Sequence, residues 1–293
     1  VAIAALSVES AGSVGSAESA GRITVQGTVV MRSVRAASRG GRVGTRPLLV
    51  LGGLGAPLAT WDAFREAMNA RTTVAFDVPG VGASPLPRWP LGIGALADLA
   101  AGLLDELALE TVDVLGYSFG GAIAQELAHR HPDRVGSMVL VATSCGWGGV
   151  SGDPLALGAA SWPFPVRMLP PGWASPSARR AGAPASTWVR ADEAWAAQPP
   201  NPLGVWWHGV AFSTWSSWAW LPSVEAPALV LGSADDHVVP AVNATILAAR
   251  LARSELVVRP GEGHFALLAD DPAELTAVID DFLRRHDPAA VST

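Results

Sequence analysis

Two rhythms of hydrophobic residues alternate along this chain. Residues 48–51, 72–76, 112–115, 135–142, 228–231 and 255–258 form short, largely apolar runs. All six read as strands, and the fully apolar 48–51 is of the kind buried on both faces of a parallel sheet. Between them, residues 61–70, 92–109, 122–130, 241–251 and 272–285 carry apolar positions at helical spacing, clearest at Leu96, Leu99, Leu103, Leu104 and Leu107. Residues 22–35 alternate around Gly27 and predict a β-hairpin ahead of the first buried strand. Strand and helix in alternation predict a parallel sheet covered by helices, an α/β fold.

The alternation breaks once. Residues 146–222 are rich in proline, show no clear strand, and hold ten of the twelve tryptophans: Trp147, Trp162, Trp173, Trp188, Trp195, Trp206, Trp207, Trp215, Trp218 and Trp220. This stretch reads as an insertion of helices and irregular loops. The expected organisation is a flexible tail at 1–21, a core in two parts at 22–145 and 223–288, the insertion at 146–222 between them, and a short tail at 289–293.

Composition narrows the function classes. With 293 residues, 49% of them hydrophobic and 16% charged, the chain can bury a large core. Its net charge is −6, every basic residue is an arginine, and no basic run occurs, so nucleic acid is not an expected partner. A single cysteine, Cys145, excludes an internal disulfide and a cysteine-based zinc site. No apolar run reaches the roughly 18 residues that a membrane span requires. The apolar start at 1–6 lacks a basic flank, so a cytoplasmic location is expected, with secretion as the alternative.

The chemistry centres on Gly116-Tyr117-Ser118-Phe119-Gly120-Gly121, which joins a buried strand to a helix. A strand that reverses into a helix within one turn places its serine in a strained conformation at the helix N-terminus, where developing negative charge is favoured. Serine is a weak nucleophile and needs a base oriented by a carboxylate. His264, after a glycine-rich turn, is the candidate base. His208 in the insertion could touch a substrate, whereas His129 and His131 are expected to face solvent. The carboxylate is Asp236 or its neighbour Asp235; the register to Pro240 favours Asp236, leaving Asp235 as a solvated neighbour or loop cap. Asp77, in a Pro/Gly turn, reads as a structural loop carboxylate. The expected oxyanion donors are the backbone N–H groups of Phe119 and, from the glycine-rich loop after residues 48–51, Leu54. No metal-ligand cluster or dinucleotide fingerprint appears in the sequence, and the chemistry needs no cofactor.

Together the Gly116–Gly121 motif, the 77–84 loop, the 236–240 stretch and Gly263-His264 resemble the α/β-hydrolase superfamily, over about residues 22–285. Residues 75–82, 215–221 and 228–231 are more closely similar to the intracellular medium-chain-length poly(3-hydroxyalkanoate) depolymerases. That resemblance implies an α/β-hydrolase fold, a Ser118–Asp236–His264 triad and cleavage of esters of aliphatic 3-hydroxy acids. Phe119 stands where that family has Trp, and His237 where Pro follows the acid; both departures bear on the substrate rather than the triad. The 146–222 insertion would then be a cap over an apolar acyl pocket, with Tyr117, Trp207 and Trp215 as substrate-binding residues and most other tryptophans packing the cap onto the core. The expected activity is a serine carboxylic-ester hydrolase acting on an apolar ester or polyester. The alternatives are a general esterase or lipase, a cofactor-free haloperoxidase-type perhydrolase, or a ligand receptor that keeps the fold.

Overall fold

The computed structural model describes residues 18–38, 45–154, 197–261, 263–265 and 272–287. Both expected tails lie largely outside these residues, as do Trp162, Trp173, Trp188 and Trp195 of the insertion. A hairpin opens the fold, with β1 at Glu18–Val25 and β2 at Thr28–Arg35. Its two turn residues, Gln26 and Gly27, have φ of 48° and 78°, the left-handed pair that a tight hairpin turn requires. The strand begins at Glu18, four residues ahead of the expected Arg22, because Glu18–Gly21 pair with Arg32–Arg35. Residues 18–21 therefore belong to the hairpin rather than to the expected tail.

The apolar runs become β3 (Leu48–Leu51), β4 (Thr73–Phe76), β5 (Val112–Tyr117), β6 (Val135–Val141), β7 (Ala228–Ser233) and β8 (Ser254–Arg259). The first five are buried almost throughout, whereas β8, at the edge of the sheet, alternates between exposed and half-buried positions. The helical stretches become α1 (Asp62–Ala67), α2 (Ile93–Glu106), α3 (Phe119–Arg130), α5 (Val242–Arg250) and α6 (Ala273–Arg285), with α4 (Pro202–Ser213) in the insertion. The strands form one sheet in the order β1-β2-β4-β3-β5-β6-β7-β8. The pairs β1/β2 and β2/β4 are antiparallel and all the others are parallel.

Successive strand side chains point to opposite faces, and the strand interiors divide accordingly. Leu49, Leu51, Val112 and Val114 pack with Leu96 and Leu103 of α2, Ile123 of α3 and Leu247 of α5. Leu48, Val50 and Leu115 pack on the other face with Phe64 of α1 and Ile279 and Phe282 of α6. The result is an eight-stranded sheet between two helical layers, as the alternation predicts. Among the described residues no helix is long and apolar enough to cross a membrane.

Where β5 begins, Asp113 is fully buried and takes Arg46 Nε and Arg71 Nη1 at 2.8 Å each and the Ser137 hydroxyl at 2.7 Å. Arg46 also binds the His286 carbonyl, and its backbone N–H binds Asp287, so this cluster ties the end of α6 to the sheet. Removing one partner from such a cluster strands buried charge. Asp113→Ala should lose about 3–5 kcal/mol of unfolding free energy in urea titration. A loss below about 1 kcal/mol would show that the cluster does not hold the fold together.

Candidate active site

One residue separates β5 from α3, and it is Ser118. Its backbone has φ 51° and ψ −117°, a region that costs a side-chain-bearing residue about 1–3 kcal/mol. The surroundings hold it there. Ser118 N–H donates to the Val141 carbonyl at 2.9 Å, while its own carbonyl accepts from Gly121 N–H at 2.9 Å and the Thr143 hydroxyl at 2.7 Å. The reversal also needs bare backbone on both sides. A Cβ on Gly116 would fall 2.6 Å from the Gly120 carbonyl oxygen and 2.7 Å from Gly121 Cα. A Cβ on Gly120 would collide with the Leu51 carbonyl, because α3 starts directly against the end of β3.

His264 arrives from the loop after β8 and completes a line of hydrogen bonds. Its Nε2 lies 3.1 Å from Ser118 Oγ and its Nδ1 2.8 Å from Asp236 Oδ2. Asp236 follows β7, and its other oxygen accepts the N–H groups of Val238 and Val239, each at 2.8 Å. Both side chains are buried. Asp235 is exposed and instead accepts Gly261 N–H at 2.8 Å, which clips the loops after β7 and β8 together. The structure thus faces Asp236, not Asp235, toward His264. All three side chains stand beyond the carboxyl ends of parallel strands, where open α/β sheets place their ligands. A hydroxyl whose proton can pass to an imidazole already oriented by a carboxylate is equipped for nucleophilic attack.

Phe119 is the first residue of α3, so its N–H has no intrahelical acceptor. The loop carrying Leu54 lies alongside: a Cβ on Gly53 would sit 3.8 Å from Ser118 Cβ. Both expected oxyanion donors therefore belong to segments that flank the serine.

Tyr117 is placed differently from the expectation. It is buried among core residues, edge-on to Trp61 at 5.1 Å, and its hydroxyl donates to the His264 carbonyl at 2.5 Å. Burial, reinforced by the Asp236 charge, raises its phenol well above the usual range, so it stays a donor. Tyr117 positions the histidine loop and has no hydroxyl to spare for a substrate. Residue alternation along β5 explains this, since Tyr117 shares a face with Leu115.

The insertion contributes α4, which crosses above these loops. Asn201 caps it through Leu203 N–H and Gly204 N–H and donates its own N–H to the Gly80 carbonyl at 3.0 Å. One turn on, Val205 Cγ2 is 3.2 Å from where a Gly55 Cβ would be. His208 stacks on Phe119 at 5.2 Å and 27°, and Phe212 lies 6.4 Å from the same ring. Trp207 is half-buried. Trp215 spends its N–H on Glu126 of α3 at 2.8 Å and packs with Phe212 and Trp220, so it fastens the insertion to α3. Burial pushes His208 down to about 4, against a hydrogen bond to the Pro79 carbonyl. The stacking of His208 on Phe119 was not evident in the sequence; the available signal was a single titratable residue in an otherwise apolar helix.

Asp77 and two of the remaining histidines have structural partners. Asp77 accepts Leu58 N–H at 2.7 Å and Ala83 N–H at 2.9 Å, and burial pushes it up to about 6. His129 is exposed and stacks on Trp220 at 4.2 Å, while His131 meets Asp98 at 2.8 Å. His237 is exposed, and Cys145 is buried and free.

Known proteins share both sequence and architecture with this chain. Residues 46–271 match the alpha/beta hydrolase fold family. A poly(3-hydroxyalkanoate) depolymerase from Ectopseudomonas oleovorans is 34% identical over 264 residues, covering 89% of this chain and 92% of that protein. A 2-hydroxymuconate semialdehyde hydrolase from Pseudomonas sp. (strain CF600) is 31% identical, covering 84% and 89%. Among solved structures, the enol-lactonase from Burkholderia xenovorans LB400 superposes with a TM-score of 0.73 at 21% identity, covering 90% of this chain and 99% of that one. The chain is a hydrolase of the α/β-hydrolase fold family and, within it, resembles the poly(3-hydroxyalkanoate) depolymerases.

Proposed function

We propose that this hydrolase is a serine carboxylic-ester hydrolase acting on esters of apolar aliphatic acids, with 3-hydroxyalkanoate polyesters or their oligomers as the substrate class. The observation that carries the reading is the line Ser118–His264–Asp236, with hydrogen bonds of 3.1 and 2.8 Å. Ser118 attacks the ester carbonyl while His264 takes its proton. Asp236 orients the imidazole and stabilises its charged form. The N–H groups of Phe119 and Leu54 stabilise the oxyanion. His264 then returns the proton to the leaving alcohol, and a water activated by the same histidine releases the acid from the acyl-enzyme.

The substrate class is supported by the depolymerase relative and by the lining of the site. Val205 stands against Gly55 of the Leu54 loop, and Phe212 lies 6.4 Å from the ring of Phe119, so the α4 residues nearest the proposed donors are apolar. The 146–222 insertion acts as the cap, with α4 across the elbow and Trp207 as its aromatic contribution, while Trp215 fastens it to α3. A cap of this kind limits water and shapes an acyl pocket.

Two measurements test the reading. On a p-nitrophenyl ester, Asp236→Asn should lower kcat by about 10⁴, as for the corresponding change in serine proteases. Asp235→Asn, which touches only the loop clip, should stay within roughly tenfold of wild type. The reverse ranking would move the acid to Asp235. Across p-nitrophenyl esters from acetyl to octanoyl, kcat/KM should rise, by at most about 1–3 kcal/mol per well-packed methylene, and amorphous polyhydroxyalkanoate should be depolymerised. A flat or falling series with no polymer cleavage would remove the apolar-acyl reading.

A further inference from the structure

His208 is the one titratable side chain that α4 turns onto the nucleophile elbow, and the mechanism above does not use it. Only 3% of it is exposed, and it stacks on the ring of Phe119, the residue directly after Ser118. One ring N–H donates to the Pro79 carbonyl. The other nitrogen, Nδ1, is buried with no hydrogen-bond partner among the described residues. The remaining ring nitrogen of a neutral imidazole is a lone-pair acceptor and nothing else. Leaving such a buried atom unpaired is costly. Its flanking residues on the same helix face, Val205 and Phe212, are apolar and cannot donate.

We propose that His208 is a specificity-determining residue whose Nδ1 accepts a hydrogen bond from the 3-hydroxyl of the acyl group. This rests on the ester-hydrolase reading and names what that site selects. An aliphatic ester has acceptors at its carbonyl and ether oxygens; a donor must come from a hydroxyl. A 3-hydroxyl stands two carbons from the carbonyl, and His208 packs on the ring of the residue whose N–H is one of the proposed oxyanion donors. Within a polyester every internal 3-oxygen is acylated and carries no proton. Only the hydroxyl-terminal unit satisfies Nδ1. Hydrolysis there adds the water oxygen to the acyl carbon and a proton to the next unit's 3-oxygen. One free 3-hydroxy acid leaves, and a new hydroxyl end forms that is again a substrate.

The test is the ratio of kcat/KM for methyl 3-hydroxyoctanoate to that for methyl octanoate, in wild type, His208→Phe and His208→Gln. Wild type should favour the hydroxy ester roughly tenfold, the scale of one net hydrogen bond. The ratio should fall to about one in His208→Phe, which keeps the stack on Phe119, and recover in part in His208→Gln, whose amide oxygen restores an acceptor. Methyl 3-acetoxyoctanoate, with the proton removed, should lose the preference in wild type, a readout that needs no variant to fold. A wild-type ratio at or below one, a ratio unchanged in His208→Phe, or an acetoxy ester as good as the hydroxy ester would overturn the assignment. Hydrolysis of both plain and hydroxy esters without preference sinks only the role of His208; no hydrolysis of either ester sinks the ester-hydrolase reading with it.

Discussion

Everything in this site depends on a single backbone conformation, the left-handed turn at Ser118. It is unfavourable in isolation, so it exists only because β5 and α3 are each held from outside. β5 lies between β3 and β6 in the middle of the sheet, and α3 is buried along nearly its whole length. The distance between them is set by glycine. With Gly116 and Gly120 bare, strand and helix approach closely enough that no residue other than Ser118 can absorb the reversal. The strain thereby serves a purpose: it lifts a hydroxyl above the sheet edge and sets beside it the N–H of Phe119, which opens α3 and has no intrahelical acceptor.

The partners of Ser118 are positioned with comparable economy. His264 is fixed by three contacts: Asp236 after β7, and Ser118 and the Tyr117 hydroxyl at the end of β5, the latter on its carbonyl. Asp236 is in turn fixed by two backbone N–H groups of its own loop. Asp235 joins the two loops on the solvent side. Adjacent acidic residues therefore divide the work. One is buried and orients the base; the other is exposed and keeps the loops in register.

Most of the fold was legible in the sequence because its central strands, β3 to β7, are buried on both faces and therefore read as continuous apolar runs. Legibility failed where that condition failed. β1 alternates between exposed and half-buried positions with Glu18, Ser19, Ala20 and Gly21 at its start, which looks like a polar tail until its partner strand is known. α3 begins at Phe119 rather than at 122 because Gly120 and Gly121, poor helix formers, are there for close packing. Ser118, His264 and the Asp236 loop stood out through chemistry that is rare at such spacing. Tyr117 misled because a motif does not say which face of a strand its second residue takes. His208 could be named from sequence but not placed, since only the tertiary packing of α4 brings it onto Phe119.

The account stands or falls on Ser118 being the nucleophile of a working enzyme. The most direct measurement is reaction with a fluorophosphonate ester, followed by intact mass and peptide mapping alongside residual esterase activity. One phosphonyl group per chain, on Ser118, with activity lost in step with labelling, is the predicted result. Labelling at another residue, or a chain fully labelled at Ser118 that still turns over esters, would contradict it.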